Sequence, residues 1–339
     1  MGQAVPPANP RGLVVTTMGG VLIRGQGVAA SSCAQLLGAA GFPVAIEETD
    51  RARLPAILLG GTTRTLIHDV FGQTDWLRGL PRIEKRVVAW GPHAKTVSVS
   101  HLAVVISEEA LAERLRPRLP EYGGAAAEWT FYASRPLPAA SVEHPFGTRR
   151  AAAVAIELKD GSDPSACCIE SLESGWLFLI PGWLLAVGGS PEALLGESRL
   201  IAEQVRGRGR AGAEFPAYPR IADPLCGPGW LCGGTAALAF DPLCGDGTGH
   251  AIREAILASA VIRAAAAGAN VDELLAHYRA RLVAGFRRHL EVCRGFYATG
   301  GSGDWWRSEL ELIEKGIAWC GDDPQFRFQL DGFELRTTV

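Results

Sequence analysis

The hydrophobic pattern opens with a compact repeat of apolar run and glycine turn. Val21-Leu22-Ile23-Arg24 reads as a strand, Gly25-Gln26-Gly27 as a turn, the Ala/Leu-rich stretch to Ala40 as a helix, and Pro43-Val44-Ala45-Ile46-Glu47-Glu48 as a second strand. From about 85 to 190 the period shortens. Arg86–Trp90, Thr96–Ser100, Ala103–Ser107, Trp129–Ala133, Ala151–Leu158, Trp176–Ile180 and Leu184–Val187 all read as strands, with one helical stretch near 108–117. Helical period returns at Pro191–Gln204 and in a long helix His250–Ala267. A further helix, Asp272–Tyr297, carries apolar residues at 274, 275, 278, 282, 283 and 286, which gives one buried face. The expected architecture is α/β. A discontinuous domain of residues 20–84 and 190–268 carries an inserted antiparallel-sheet domain, 85–189, and is followed by a C-terminal helical segment, 269–339.

The first turn is Gly-x-Gly-x-x-Ala, from Gly25 and Gly27 to Ala30. In a dinucleotide site the first glycine makes the tight turn, the second lets backbone approach a pyrophosphate, and a small third residue allows close helix packing. The free N–H groups and dipole of the helix start then favour an anion. An acid about twenty residues on should take the ribose hydroxyls; Glu47 ends the second strand at that distance, and Glu48 is its alternative if the register slips by one. A structural turn that binds nothing remains the competing reading. A second glycine cluster lies far downstream, where Gly233-Gly234-Thr235 follows a short strand and Gly245, Gly247 and Gly249 open the long helix. Two such turns two hundred residues apart suit a long two-ended cofactor.

Composition narrows the classes. With 47% hydrophobic and 20% charged residues, and 33 basic against 36 acidic for a net charge of −3, the chain is neither disordered nor globally basic. No nucleic-acid or membrane partner is expected. The segment MGQAVPPANPRG has no apolar core of a secretory signal, so a cytoplasmic location is the expectation. Eight cysteines form no C-x-x-C pair and read as reduced thiols, with no metal site expected. Seven histidines are scattered; His250, directly at the second glycine cluster, is the one candidate for chemistry.

These motifs resemble the FAD-binding para-hydroxybenzoate hydroxylase and flavin-dependent halogenase superfamily. Its second fingerprint, roughly Gly-Asp-Ala-Ala-His-x-x-x-Pro-x-x-Gly-x-Gly, is matched by Gly234-Thr235-Ala236-Ala237-Leu238-Ala239-Phe240-Asp241-Pro242-Leu243-Cys244-Gly245-Asp246-Gly247, with Thr235 for the acid and Leu238 for the histidine. The resemblance implies a Rossmann-like FAD-binding fold with an inserted substrate domain. It also implies that Gly234 and Thr235 meet the ribityl–phosphate part of FAD while Pro242, Gly245, Gly247, Thr248 and Gly249 line the isoalloxazine. Gly175-Trp176-Leu177-Phe178-Leu179-Ile180-Pro181 is similar to the halogenases' Trp-x-Trp-x-Ile-Pro, with Phe178 for the second Trp, and Lys85 falls where their active-site lysine lies. Read from its neighbours Glu84 and Arg86, Lys85 is instead a solvated strand charge.

Within that superfamily the pattern most resembles the flavoproteins that mature tryptophylquinone enzymes, through Ala89-Trp90-Gly91-Pro92, Thr235 to Gly247, and Asp304-Trp305-Trp306. That resemblance implies an FAD-dependent monooxygenase that hydroxylates a Trp of a partner quinoprotein precursor, using O2 and an external reductant. A flavin halogenase acting through Lys85, and a degenerate FAD fold that only binds a partner, are the alternatives. Trp305 and Trp306 are expected to pack a C-terminal helix.

Overall fold

The computed structural model describes residues 19–73, 75–119, 124, 126–321 and 326–338. The expectation of no secretory signal falls on residues outside that set. The chain begins β1 (Gly20–Arg24), α1 (Val28–Ala39), β2 (Val44–Glu47), β3 (Ile57–Gly60), α2 (Gly61–Phe71), β4 (Arg82–Ala89), β5 (Val97–Ile106) and α3 (Glu108–Arg114). It continues through β6 (Ala127–Tyr132), β7 (Val142–Pro145), β8 (Arg150–Leu158), β9 (Ala166–Leu172), β10 (Gly175–Ile180), β11 (Trp183–Val187), α4 (Pro191–Glu197) and β12 (Val205–Pro216). β13 (Arg220–Asp223), β14 (Cys226–Gly227), β15 (Trp230–Cys232), α5 (Gly234–Ala237) and β16 (Leu238–Ala239) lead to the helices α6 (Gly247–Ala266), α7 (Val271–Gly300) and α8 (Asp304–Cys320). A hairpin of β17 (Phe328–Asp331) and β18 (Glu334–Thr337) closes the described chain.

Two large sheets organise the molecule. The first, β14-β15-β6-β1-β2, is parallel except for β14. The second, β12-β8-β11-β10-β9-β4-β5-β3, is antiparallel except where β9 runs alongside β4. Trp129–Ala133, which reads as one more strand of the middle region, pairs instead with β1 in the parallel sheet. The larger sheet also takes in β3 and β12, from either side of residues 85–189.

Burial follows from the sequence pattern. Gly175–Ile180 is a continuous apolar run because both faces of β10 are covered. Trp176 and Phe178 pack in the main core, with α1, α6, α7 and the parallel sheet. Leu177 and Leu179 pack on the opposite face against Leu194 and Ile201. α6 is buried nearly all round from Glu254 to Ile262, as its Ala/Ile/Leu composition requires, and α1 lies directly on it. The helix read at Pro191–Gln204 stops at Glu197. Glu170 reaches across from β9 and accepts the backbone N–H groups of Arg199, Leu200 and Ile201 at 2.9, 3.1 and 3.1 Å, satisfying them without further helix. The last segment is helical only to Cys320, since its final described strands form the hairpin.

Candidate functional site

β1, β6 and β15 run parallel, so the turns that follow them emerge at one edge of the sheet. From β1 the chain crosses to β2 on one side, while β6 and β15 lie on the other, and the order therefore reverses between β1 and β6. Ligands of open α/β sheets bind at such a reversal, outside the carboxyl ends of the strands.

Gly25 and Gly27 adopt φ of 117° and 96°, which side chains rarely take. A Cβ on Gly25 would lie 2.3 Å from Ser134 Oγ, and one on Gly27 would lie 2.6 Å from Arg51 Nη2. α1 starts at Gly27 without a side-chain cap and without an acid in its first turn, so its leading N–H groups are left for an anion. Ser134 Oγ receives the Gln26 N–H at 3.2 Å and bonds Thr49 Oγ1 at 2.9 Å, tying the end of β6 to the turn and to the loop after β2. Ala30 is buried behind the turn. Glu47 stands exposed at the end of β2; its carbonyl accepts the Gly25 N–H at 2.8 Å and its carboxylate pairs with Arg24 at 2.8 Å. Glu48, the next residue, is also exposed.

The second glycine turn comes to the same place. Gly234 has φ of 53°, and a Cβ there would lie 2.8 Å from Ala29 Cβ and 2.6 Å from the Ala133 carbonyl. Its N–H donates to Glu254 Oε2 at 2.6 Å. Glu254 is fully buried on α6, and desolvation pushes its carboxyl up to about 8 against the opposing effect of that hydrogen bond. Thr235 is exposed beside it. Two glycine turns separated by two hundred residues thus meet across one sheet edge, with every close approach made by backbone that lacks a side chain.

The loop from Asp241 to Gly249 is pinned from beneath. Asp241 is buried and accepts from Arg149 Nε at 2.7 Å, Tyr297 Oη at 2.8 Å and the Leu243 N–H at 2.8 Å, while its own N–H donates to His289 Nε2 at 2.8 Å. Arg149 also pairs with buried Glu309, and Trp176 donates to Tyr297 Oη at 3.2 Å. Asp246 accepts from Thr63 at 2.8 Å and Arg253 at 2.8 Å and sits against Gly249. Pro242, Cys244 and Thr248 are half-buried, whereas Gly245 and Gly247 are exposed on the outer side of the loop. His250 stacks on Phe240 with ring centroids 4.1 Å apart, and desolvation lowers its imidazole to about 4, so it is neutral at pH 7.

Lys85 is not brought to this edge. The pairing of β4 with β5 shifts between Ile83 and Lys85, and Lys85 then lies on the sheet face of Val87, Cys168 and Leu177, the face covered by Leu194. Its ammonium pairs with Asp163 at 2.7 Å, is 45% exposed, and borders a surface hollow with Lys159 and Asp160. Trp176 and Phe178 share the opposite face with Arg86, whose guanidinium meets His101 at 3.1 Å. Trp306 is buried and donates to the Leu172 carbonyl at 2.9 Å, and Trp305 packs edge-on against it, so this pair is packing. Arg51, Ser134, Asp241 and Glu254 escape sequence reasoning, because each acts through a contact distant along the chain. Only Asp241 carries a local signal, its place immediately before Pro242.

The glycine cradles, the uncapped helix start and the acid at the end of β2 fit a dinucleotide. No protein-family model and no curated protein sequence matches the chain. Its fold, however, is similar to those of hydroxylases and of an FAD-dependent halogenase of known structure. It superposes on the peptidyl tryptophan dihydroxylase QhpG, essential for tryptophylquinone cofactor biogenesis, with a TM-score of 0.71 at 17% identity over 94% of this chain and 86% of that one. The myxobacterial chondrochloren halogenase CndH gives 0.71 at 16% identity over 86% and 85%. 2,6-Dihydroxypyridine-3-hydroxylase from Arthrobacter nicotinovorans gives 0.61 at 13% over 84% and 94%.

Proposed function

We propose that the protein is an FAD-dependent monooxygenase acting on an aromatic side chain, a Trp of a partner quinoprotein precursor. The observation that carries the flavin reading is the meeting of the Gly25–Ala30 and Gly234–Thr235 turns at the strand-order reversal. Gly25, Gly27 and Ala30 would admit the pyrophosphate to the start of α1, and Glu47 would take the adenosine ribose. Arg51, paired with Glu108, lies over the same cradle, where its guanidinium would face the diphosphate. Gly234 and Thr235 would meet the ribityl end, with Pro242, Gly245, Gly247, Thr248 and Gly249 along the ring system. FAD, when bound, supplies two-electron chemistry with O2. The chain's part is to hold the loop: Asp241, fixed by Arg149 and Tyr297, sets the backbone of Pro242 to Gly249 against the face that carries Trp176. His250, stacked on Phe240 and neutral at pH 7, would help to orient that loop.

The protein-substrate reading is supported by likeness to a peptidyl tryptophan dihydroxylase over 94% of this chain. The fold suits a halogenase equally, and domain boundaries of 20–84 with 190–268, 85–189 and 269–339 remain part of the proposal. Lys85 paired to Asp163 on the far face of the sheet supports oxygenation over halogenation, since a halogenating lysine must stand free between flavin and substrate. Among the described residues no helix is long and apolar enough to cross a membrane. Co-expression with a tryptophylquinone-enzyme precursor, followed by peptide mass spectrometry, tests the reading. Oxygen added to one Trp is expected; an unmodified precursor together with halogenation of indole in the presence of bromide would replace it with the halogenase.

A further inference from the structure

Where the Asp241–Gly249 loop packs on α7, Cys244, His289 and Cys293 place their side-chain sulfur and nitrogen atoms within 4.8 Å of one another. Cys244 ends the short turn that Asp241 caps, and His289 and Cys293 lie one helical turn apart on α7. The Cys244 and Cys293 sulfurs are 3.7 Å apart, and Cys293 Sγ is 3.3 Å from His289 Nε2.

Such a trio invites a metal, but its hydrogen bonds oppose one. The His289 Nε2 lone pair already accepts the Asp241 N–H at 2.8 Å. The neighbouring carboxylate of Asp241 is filled by Arg149, Tyr297 and the Leu243 N–H, which leaves it unable to complete a tetrahedral set. What remains is a pair of thiols in contact, one half-buried and one buried.

We propose that Cys244 and Cys293 form an oxidisable dithiol that reacts with hydrogen peroxide. The two sulfurs are unequal in the way this reaction requires. Either sulfur can donate in their contact, and the shared hydrogen bond draws the Cys244 thiol below its ordinary value while it and burial push Cys293 up. Burial is the largest cause of the raised thiols of Cys33, Cys232 and Cys320, none of which shares a hydrogen bond with a second thiol. Cys244, the half-buried sulfur that a small oxidant can reach, is thus the attacking group and buried Cys293 the resolving one. The Cys244 thiolate attacks one peroxide oxygen; an S–O bond forms as the O–O bond breaks, and the released hydroxide takes a proton from solvent. Cys293 sulfur then displaces the hydroxyl from Cys244, forming the S–S bond, and its thiol proton leaves with that hydroxyl as water. The cysteines lose two electrons and the peroxide gains them. Closing 3.7 Å to a bond of about 2.05 Å would tie the loop covalently to α7. The pair is placed by this packing and stands whether or not the chain binds flavin.

The test uses the intact protein, reduced, desalted, exposed to hydrogen peroxide for graded times, then alkylated and digested for mass spectrometry. Two of the eight thiols should be lost together as a Cys244–Cys293 cross-linked peptide, at a rate at least about tenfold above that of Cys226 or Cys320. Cys293→Ala should leave Cys244 as a sulfenic acid that dimedone traps. Cys244→Ala should slow peroxide oxidation of Cys293 about tenfold or more. Oxidation of Cys244 no faster than that of Cys226 in the wild-type protein would overturn the proposal. So would zinc retained through dialysis by the wild-type protein and lost from Cys244→Ala.

Discussion

Glu254 links the second glycine turn to the ionisation state of the core, and the link is measurable. Its carboxyl is fully buried on α6, and its one backbone partner is the Gly234 N–H at 2.6 Å. Desolvation raises it from 4.5 to about 8. In the unfolded chain the group loses its proton near 4.5, while in the folded chain it holds that proton until about 8. The folded state therefore binds more protons across this window, and the contribution to stability is complete below 4.5 and is lost as pH rises through 8. At about 1.4 kcal/mol per pH unit the whole displacement corresponds to ~5 kcal/mol. Glu254→Gln preserves the shape and an acceptor for the Gly234 N–H but cannot ionise. Urea unfolding at pH 5 and pH 7.5 should show the variant gaining about 3–4 kcal/mol relative to wild type between the two, with the proteins within ~1 kcal/mol of each other at pH 5. Parallel stability curves for the two proteins across that range would refute the reasoning.

The buried triad of Arg149, Asp241 and Glu309 makes a second prediction. Arg149→Met strands two buried carboxylates and should cost about 3–5 kcal/mol in urea unfolding, whereas Asp241→Asn, which leaves the Arg149–Glu309 pair, should cost less; the reverse order would contradict the assignment of Arg149 as the hub. Lys85→Ala, read by mass spectrometry of the co-expressed partner, should lower oxygen incorporation less than tenfold, on the order of 1 kcal/mol in barrier or below. A loss of a hundredfold or more, or a brominated indole that disappears in this variant, would return Lys85 to the chemistry.

How far the sequence carried depended on how local each determinant is. Gly25, Gly27, Ala30 and Glu47 were legible because strand, turn, helix and strand follow one another within thirty residues, and the hydrophobic period fixes their register. Gly234 to Gly249 were legible for the same reason, but their approach to Ala29 and Ala133 depends on the β15–β6–β1 pairing, which no local pattern encodes. The face taken by Lys85 could not be read, since the irregular pairing between Ile83 and Lys85 lies exactly where alternation would have been counted. The end of α4 was hidden because Glu170, a residue of another strand, satisfies the N–H groups after it. The thiol pair was not read, because Cys244 joins Cys293 and His289 only through the packing of the loop on α7.

The central claim, that the two glycine turns together hold FAD, is tested most directly by titrating the purified protein with FAD and following flavin fluorescence and the visible spectrum. The account predicts saturable binding at one FAD per chain, abolished by Gly27→Val, whose side chain would fill the space now faced by Arg51; because Gly27 holds a φ of 96°, the loss is read on variant protein whose circular dichroism is that of the wild type. Binding by Gly27→Val equal to that of the wild type, or a folded wild-type protein that takes up no flavin at all, would contradict it.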